Sequence, residues 1–243
     1  MGKAKRHILP FFIPHQGCPN QCIFCNQHRI TGIGQHIDYE AMKRQILEIL
    51  PGQEMEVAFY GGSFSGLPFS WQQQLLEPAW QQKQKGIIQH IRISTRPDYI
   101  DEERLDFLQK HGVDIIELGA QSLDDDVLAK ARRGHSYQDI ENAVQLIQSF
   151  GVHLIIQLLP GLPGDCYQKA VCGAKTVACW QPNGVRIYPA VVLKDTPLCD
   201  LYEAGCYQPL SVEQAVVWCR DMAAVFLQAG IPILRIGLQP SED

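Results

Sequence analysis

Seven short runs rich in β-branched and aromatic residues recur along the chain, and this recurrence constrains the fold more than any other feature. Each run is almost continuously apolar and does not alternate between apolar and polar residues. Such runs are typical of strands that are buried on both faces of a parallel sheet. The sequence therefore predicts strands within residues 7–14, 56–62, 91–97, 114–122, 153–161, 184–192 and 232–240.

Helix-patterned segments separate these runs. The segment 38–50 opens with Asp38, a predicted N-cap, and the segment 70–84 contains Pro78, which we expect to bend or break its helix. Comparable segments run from an Asp or Ser to a Gly at 101–112, 136–151 and 211–230. Strands that alternate with helices over short links predict parallel β/α units with right-handed crossovers. We therefore expect a TIM-barrel-like partial (β/α) barrel of about six to seven parallel strands, in a single domain that covers residues 1–243.

The net charge and the hydropathy of the sequence limit which partners and which cellular location we expect for the protein. A net charge of -5 argues against binding to nucleic acid that is driven by electrostatics alone. The start, MGKAKRH, lacks the apolar region of a secretory signal, and no apolar run reaches the roughly 20 residues of a membrane helix. The sequence therefore predicts a cytoplasmic protein that does not enter a membrane.

Nine cysteines in such a chain are expected to be thiols or metal ligands, because disulfides are rare in the cytosol. Three of the six in the second half, Cys172, Cys179 and Cys219, lie in helix-patterned segments. We expect these three to be buried as small apolar side chains.

Polar residues and glycines follow the predicted strands at their carboxyl ends, where the active site of a (β/α) barrel lies. Strand two leads into Gly61, Gly62 and Ser63, and strand three ends with Ser94 and Thr95. Glu117 and Gln121 close strand four, and PGLPGD follows strand five. The sequence therefore predicts a functional site at the carboxyl ends of the strands.

The loop after the first strand carries Cys18, Cys22 and Cys25 at the spacing C-x3-C-x2-C. A closed zinc site needs a fourth ligand, which His15 or His28 could supply, and three unliganded structural cysteines are a further alternative. Three thiolates suit a 4Fe–4S cluster better, because they leave one iron with an open coordination site. That iron can be chelated by the amino and carboxylate groups of S-adenosylmethionine, and an electron can then cleave the sulfonium C–S bond.

The cysteine motif, with Phe24 before the third cysteine, resembles that of the radical S-adenosylmethionine superfamily. The stretches STRPDYI, ELGAQSLDDDVL, RRGHS, LLPGLPGD and VRIYPAVVLKDTPL resemble the group that contains the Elongator catalytic subunit. A fainter likeness links the chain to the oxygen-independent coproporphyrinogen III oxidases. Together the similar stretches cover residues 7–240.

This resemblance implies two cofactors, a 4Fe–4S cluster and S-adenosylmethionine, and roles for particular residues. Cys18, Cys22 and Cys25 match the cluster ligands. YGGSF, with Gly61, Gly62 and Ser63, matches the motif whose backbone contacts the amino group of S-adenosylmethionine. The other implied contacts with the cofactor are Gln121 near the ribose, Arg133 at the methionine carboxylate, Gln157 in place of an acidic ribose contact, and Ser94, Thr95 and Glu117. The resemblance also implies an electron donor such as flavodoxin or ferredoxin.

We therefore expect an enzyme that produces a 5′-deoxyadenosyl radical and acts on tRNA or on a small metabolite. The alternatives are a radical oxidase of a small, tetrapyrrole-like molecule, a non-catalytic RNA-binding relic and a zinc-stabilised scaffold. No part of residues 1–243 is expected to form the acetyltransferase domain of the Elongator subunit. We also expect a partner protein or a further C-terminal segment to close the open side of the barrel.

Overall fold

A seven-stranded sheet organises the protein, whose computed structural model describes residues 7–13, 18, 22–26, 38–52 and 54–237. The strands follow one another across the sheet in chain order, and the parallel pairing runs β1–β2–β3 and β5–β6–β7. Each strand lies within a predicted run or begins one residue before it. The strands are β1 (His7–Phe12), β2 (Met55–Tyr60), β3 (His90–Thr95), β4 (Ile115–Gln121), β5 (His153–Leu158), β6 (Gly184–Ile187) and β7 (Ile233–Ile236).

Helices occupy the crossovers between the strands, as the β/α alternation predicts. Two short ones, α4 and α7, were not predicted, because six or seven residues are too few to show a helical period. The helices are α1 (Tyr39–Leu47), α2 (Phe69–Gln84), α3 (Glu102–Lys110), α4 (Asp125–Lys130), α5 (Tyr137–Ser149), α6 (Tyr167–Cys179), α7 (Pro197–Glu203) and α8 (Val212–Gln228).

Several predicted helix boundaries are confirmed by their capping hydrogen bonds. The Asp38 side chain accepts a hydrogen bond from the amide of Ala41 at the start of α1. Ser211 forms a capping box with Gln214 at the start of α8. Gly112 follows α3 with a φ of +82°, the left-handed conformation that ends many helices. The boundaries could be predicted because each depends on one short-range contact.

Pro78 was predicted to bend or break its helix, and the predicted break is wrong. Helix α2 continues from Phe69 to Gln84 with Pro78 buried in its interior. The missing amide of a proline removes one backbone hydrogen bond, but tertiary packing can offset that loss. Leu75, Leu76 and Ala79 are buried along the same helix, and the Gln82 side chain donates to the carbonyl oxygen of Leu47 in α1 at 3.0 Å.

The prediction that three helical cysteines are buried is correct only for Cys219. Cys172 and Cys179 are exposed. The buried face of α6 repeats at helical spacing through Ala170, Ala174 and Val177, and the two exposed cysteines lie off that face. Burial raises the pKa of the Cys219 thiol to about 11.

The chain divides into two compact units. Unit 1 consists of Met1–Cys18, Gln27–Glu117 and Gln145–His153, and unit 2 of Pro19–Asn26, Leu118–Val144 and Leu154–Asp243. Residues such as Val57, Phe59, Ile91 and Ile93 form the core of unit 1, and Leu154, Ile156, Val185, Ile187 and Phe226 that of unit 2. Neither unit is a continuous stretch of sequence, because Pro19–Asn26 belongs to unit 2 and Gln145–His153 to unit 1. The single domain over residues 1–243 stays a prediction.

Among the helices of the described residues, none combines the length and the apolar character that crossing a membrane requires.

Candidate functional site

In unit 2, backbone hydrogen bonds join the segment that contains Cys22 and Cys25 to two other parts of the chain. The Ile23 amide donates to the carbonyl oxygen of Ala131 at 3.2 Å, and the Leu198 amide donates to that of Ile23 at 2.9 Å. The Ile23 side chain is buried against Leu198 and Tyr207. Between these anchors, the Cys25 amide donates to the Cys22 carbonyl oxygen at 3.1 Å and closes a turn. The two thiols are therefore carried on a fixed turn.

Arg133 contacts the cysteine segment directly. Its Nη1 donates to the Sγ of Cys22 at 3.1 Å, and its Nη2 donates to the carbonyl oxygen of Gly119 at 2.7 Å. The guanidinium carbon lies 5.9 Å from the centre of the Phe24 ring. Arg133 is buried, with 6% of its surface exposed. The contact therefore places a buried cation beside the Cys22 sulfur.

The end of α4 explains why Arg133 points in this direction. The Arg133 amide donates to the carbonyl oxygen of Leu128, and the Arg132 amide donates to that of Ala129. These two bonds form a Schellman motif, in which Arg132 takes the left-handed position with a φ of 51°. The motif turns the chain sharply after the helix and brings Arg133 to the cysteine segment.

Gln121 ends β4 in a backbone conformation that is rare for its residue type. Its φ is 68°, and its side chain is buried. The Leu159 amide donates to the Gln121 carbonyl oxygen at 2.8 Å, and Gln157 Nε2 lies 3.5 Å from Gln121 Oε1. A non-glycine residue held in the left-handed region is strained, and such strain is common at functional sites. The structure thus brings together two predicted ribose contacts.

The loop after β5 is held by a buried carboxylate. Asp165 accepts hydrogen bonds from the amides of Gly161 and Cys166, each at 2.8 Å, and the Tyr207 hydroxyl donates to the Gly161 carbonyl oxygen at 2.7 Å. Burial raises the pKa of the Asp165 carboxyl and that of the Tyr207 phenol, the latter to about 12. A cavity of about 360 Å³ adjoins this loop, with Lys130 and Trp218 in its wall.

In unit 1, Gly61 and Gly62 follow β2 with φ values of 80° and 67°. A Cβ atom on Gly61 would lie 3.2 Å from the carbonyl oxygen of Ile13, which is closer than side chains normally approach. Both the positive φ and the close approach of the backbone favour glycine at Gly61. This turn therefore carries two successive residues that have no side chain.

The predicted contacts Ser63 and Thr95 belong to a buried network of hydroxyl groups in unit 1. The Oγ1 of Thr95 lies 2.8 Å from Ser63 Oγ and 2.5 Å from Ser65 Oγ. Ser65 Oγ also donates to the carbonyl oxygen of Tyr99 at 2.7 Å. The network ties the end of β2 to the end of β3. Ser94, its neighbour in the sequence, is half-buried.

Glu117 belongs to a buried charged cluster of unit 1 that the sequence reasoning missed. Arg92 forms ion pairs with both Glu117 and Glu56, and the Tyr60 hydroxyl donates to Glu117 at 3.3 Å. Burial alone would lower the pKa of Arg92, but attraction to Glu117 and Glu56 raises it. The available signal was a charged residue inside each of three apolar runs, at Glu56, Arg92 and Glu117.

The predicted metal ligands are distributed over both units. Cys18 is half-buried in unit 1, and Cys22 and Cys25 lie in unit 2. The described part of the chain holds no preformed group of three His, Cys, Asp or Glu side chains that could bind a metal ion, and no disulfide involves any of the cysteines. Their assignment as cluster ligands stays a prediction. His15 and His28, the zinc ligands of the alternative interpretation, lie outside the described residues.

The family model of the radical SAM superfamily matches residues 12–171, and that of the radical SAM C-terminal domain matches residues 182–243. The chain is similar to a tRNA uridine(34) acetyltransferase of Methanocaldococcus infernus, with 34% identity over 127 residues, which cover 51% of this chain and 24% of that protein.

Two solved structures resemble the chain at lower identity. The archaeal Elp3 of Methanocaldococcus infernus gives a TM-score of 0.74 at 20% identity, over 99% of this chain and 57% of that one. Coproporphyrinogen III oxidase (HemN) of Escherichia coli, a radical SAM enzyme, gives 0.67 at 18% identity, over 94% and 54% of the two chains. These likenesses show the fold alone, and they confirm the predicted partial (β/α) barrel. The chain spans less than two thirds of the length of each of these relatives.

Proposed function

Because the chain belongs to the radical S-adenosylmethionine superfamily, whose members are enzymes that use a 4Fe–4S cluster and S-adenosylmethionine, we propose that it generates a 5′-deoxyadenosyl radical to modify a nucleoside of tRNA. The observation that carries the proposal is the family match over residues 12–171, which includes Cys18, Cys22 and Cys25.

The cysteine segment suits such a cluster chemically. Thiolates are the usual ligands of iron in these clusters, and three of them leave one iron open. Cys22 and Cys25 lie on a turn with fixed ends, and the Arg133 guanidinium beside the Cys22 sulfur offsets part of the negative charge of thiolate ligands. When bound, the cluster supplies the electron that cleaves the sulfonium bond of S-adenosylmethionine.

The residues proposed to hold S-adenosylmethionine follow the resemblance. Gly61, Gly62 and Ser63 present backbone to its amino group, and Arg133 pairs with its carboxylate. The amides of Gln121 and Gln157 hydrogen-bond its ribose. Ser94, Thr95 and Glu117 are proposed as further contacts. In unit 1, the left-handed turn at Gly61 and Gly62 supports this assignment, and in unit 2 the contact of buried Gln121 with half-buried Gln157 does.

The tRNA substrate is proposed from relatives that are named tRNA uridine(34) acetyltransferases. Because the chain matches only part of each, the proposal covers the radical step and leaves out acetyl transfer. An electron donor such as flavodoxin or ferredoxin is the proposed redox partner. The likeness to HemN shows the fold alone and gives no support to a tetrapyrrole substrate.

Anaerobic reconstitution with iron and sulfide tests the proposal. The reconstituted protein is mixed with S-adenosylmethionine and dithionite, and 5′-deoxyadenosine is measured by mass spectrometry. The nucleosides of tRNA from cells with and without the protein are compared in parallel. We expect 5′-deoxyadenosine in the first assay and one changed nucleoside in the second. A fully loaded protein that leaves S-adenosylmethionine intact would refute the radical step, and identical nucleosides would refute the tRNA substrate.

A further inference from the structure

The hydroxyl network of unit 1 has a direction that is fixed at both of its ends. At one end, the Arg96 amide donates to Ser63 Oγ at 3.3 Å. At the other end, Ser65 Oγ donates to the carbonyl oxygen of Tyr99 at 2.7 Å. Between these ends, Thr95 Oγ1 contacts both serine hydroxyls. Because an amide can only donate and a carbonyl oxygen can only accept, neither end of the network can be reversed.

The fixed ends decide which hydroxyl group donates at each inner contact, since a hydroxyl group has one proton. Ser65 gives its proton to the Tyr99 carbonyl oxygen, so Thr95 is the donor in its contact with Ser65. Thr95 has then used its own proton, so Ser63 is the donor in its contact with Thr95. The protons therefore run in one direction, from Ser63 through Thr95 to Ser65.

This order limits what the network can offer to a ligand. The hydroxyl groups of Ser63, Thr95 and Ser65 all donate within the network, and all three residues are buried. A hydroxyl group that has used its proton cannot donate to the carboxylate of S-adenosylmethionine. If Thr95 contacts the cofactor, it does so without donating a hydroxyl proton. The network therefore supports a cofactor site mainly through the backbone that it holds.

That backbone includes the Gly61–Gly62 turn, which needs support from its neighbours. Glycine has the least restricted backbone, and neither residue has a side chain that could hold its φ in the left-handed region. Before the turn, the Tyr60 carbonyl oxygen accepts from the Ile13 amide at 2.7 Å. After the turn, the Ser63 hydroxyl belongs to the network. The position of the turn therefore depends on the network on one of its two sides.

Ser65, which lies outside the YGGSF motif, anchors the network to the rest of unit 1. Its carbonyl oxygen accepts from Gln72 Nε2 of α2 at 3.2 Å and from Arg104 Nε of α3 at 3.0 Å. We propose that Ser65 is a positioning residue of the cofactor site: it fixes the direction of the hydroxyl network and thereby holds the Gly61–Gly62 turn in place for S-adenosylmethionine. This proposal rests on the proposed function.

Binding of S-adenosylmethionine to the reconstituted Ser65→Ala variant, measured by calorimetry, tests the proposal. The substitution leaves the Thr95 proton without its acceptor, so the direction of the network is no longer fixed. We expect the Kd to rise about fivefold, as for the loss of one neutral hydrogen bond, with the iron content unchanged. In the metal-free protein, hydrogen–deuterium exchange of a peptide that covers Gly61 and Gly62 should become faster.

Gln82→Ala is the matched control, because it removes buried hydrogen bonds of unit 1 at the other end of α2 from Gln72. The Gln82 side chain donates to the carbonyl oxygens of Ile46 and Leu47 at 3.2 and 3.0 Å. Both alanine variants should unfold at a lower urea concentration than the wild type. The control should nevertheless keep the wild-type Kd and the wild-type exchange rate at the turn.

An unchanged Kd for Ser65→Ala refutes the positioning role, whatever the loss of stability, and leaves the proposed function in place. An equal rise in Kd for Gln82→Ala shows a general effect of stability, and the proposal is then wrong. A reconstituted wild type that neither binds nor cleaves S-adenosylmethionine refutes the proposed function as well. If Ser65→Ala is unfolded, Ser65→Cys replaces it, because a thiol is a weaker donor, and a wild-type Kd for that variant is equally contrary to the proposal.

Discussion

The cysteine segment of unit 2 and the hydroxyl network of unit 1 hold their candidate residues in opposite ways. In unit 2, backbone hydrogen bonds of Ile23 hold the segment in place, and the Cys22 sulfur accepts a hydrogen bond from the Arg133 guanidinium. In unit 1, the side chains of Ser63, Ser65 and Thr95 satisfy one another. Where backbone hydrogen bonds hold a segment in place, a side chain can be changed without loss of the fold. Where side-chain hydrogen bonds hold it in place, the same kind of change should first reduce the free energy of unfolding.

The largest effect is expected for Cys25→Ala in unit 2. A cluster that has lost one thiolate is poorly held, so formation of 5′-deoxyadenosine should fall below detection. The free energy of unfolding of the metal-free protein should change little, because Cys25 is only half-buried. Cys172→Ala, at an exposed thiol of α6, is the control and should keep full activity. Full activity in the Cys25 variant, with a complete cluster, would remove this residue from the ligand set.

The next effect is expected for Arg133→Ala, which should raise the Kd for S-adenosylmethionine about tenfold or more, since a hydrogen bond to a charged group contributes roughly 1.5–3 kcal/mol. The iron content should be retained. Calorimetry with the reconstituted protein measures the affinity. Arg132→Lys, at the exposed neighbouring arginine, is the control. An unchanged Kd for the Arg133 variant together with a raised one for the Arg132 variant would transfer the contact to Arg132.

Thr95→Val tests the other half of the comparison, because it leaves two buried serine hydroxyls without their shared partner. Stability should fall by about 1–3 kcal/mol, measured by urea unfolding of the metal-free protein. Thr176→Val on α6 removes an exposed hydroxyl that donates to the Cys172 carbonyl oxygen of its own helix, and it should have a much smaller effect. Equal losses from the two substitutions would mean that the buried network is not structural.

Gly61→Ala should lower the free energy of unfolding by about 1–2 kcal/mol for the left-handed backbone alone. The contact of the new Cβ with the Ile13 carbonyl oxygen should add to that loss. Gly86→Ala is a matched control, because Gly86 has a similar φ of 73° and open space around it. The difference between the two variants measures the close approach, and no difference would show that the turn yields at Ile13.

The smallest effect is a pH dependence from Asp165, whose pKa burial raises although two backbone amides donate to it. A carboxyl group with a raised pKa in the folded state stabilises the protein most below its unfolded pKa of about 3.9. That contribution is lost as the pH rises through the folded pKa. The stability of Asp165→Asn relative to the wild type should therefore increase over this range in urea unfolding. A constant difference from pH 4 to 7 would contradict the raised pKa.

The strands and most helix boundaries could be predicted because their signals are local. An apolar run such as residues 153–161 and a cap such as Asp38 need no knowledge of distant residues. The continuation of α2 through Pro78 could not be predicted, because it depends on packing against other elements. The exposure of Cys172 follows from the helical phase of α6, whose buried face is set by Ala170, Ala174 and Val177.

The candidate site likewise has features with local sequence signals and features that depend on distant residues. The turn at Cys22 and Cys25 and the turn at Gly61 lie within short sequence motifs, whereas the roles of these residues stay predictions. The cluster of Arg92 with Glu56 and Glu117 joins three strands that are far apart in sequence. The register shift between β6 and β7 at Val185 and Arg186 is equally hidden, because pairing and register are properties of two strands together.

The Schellman motif after α4 has an evolutionary consequence. Its two bonds join backbone atoms only, so the direction in which residue 133 leaves the helix is independent of the side chain at that position. A mutation there changes the chemical group presented to the cysteine segment and leaves the path of the chain intact. Relatives with a different residue after this helix end could therefore acquire a new preference for charge or shape in a single substitution, without first rebuilding the scaffold.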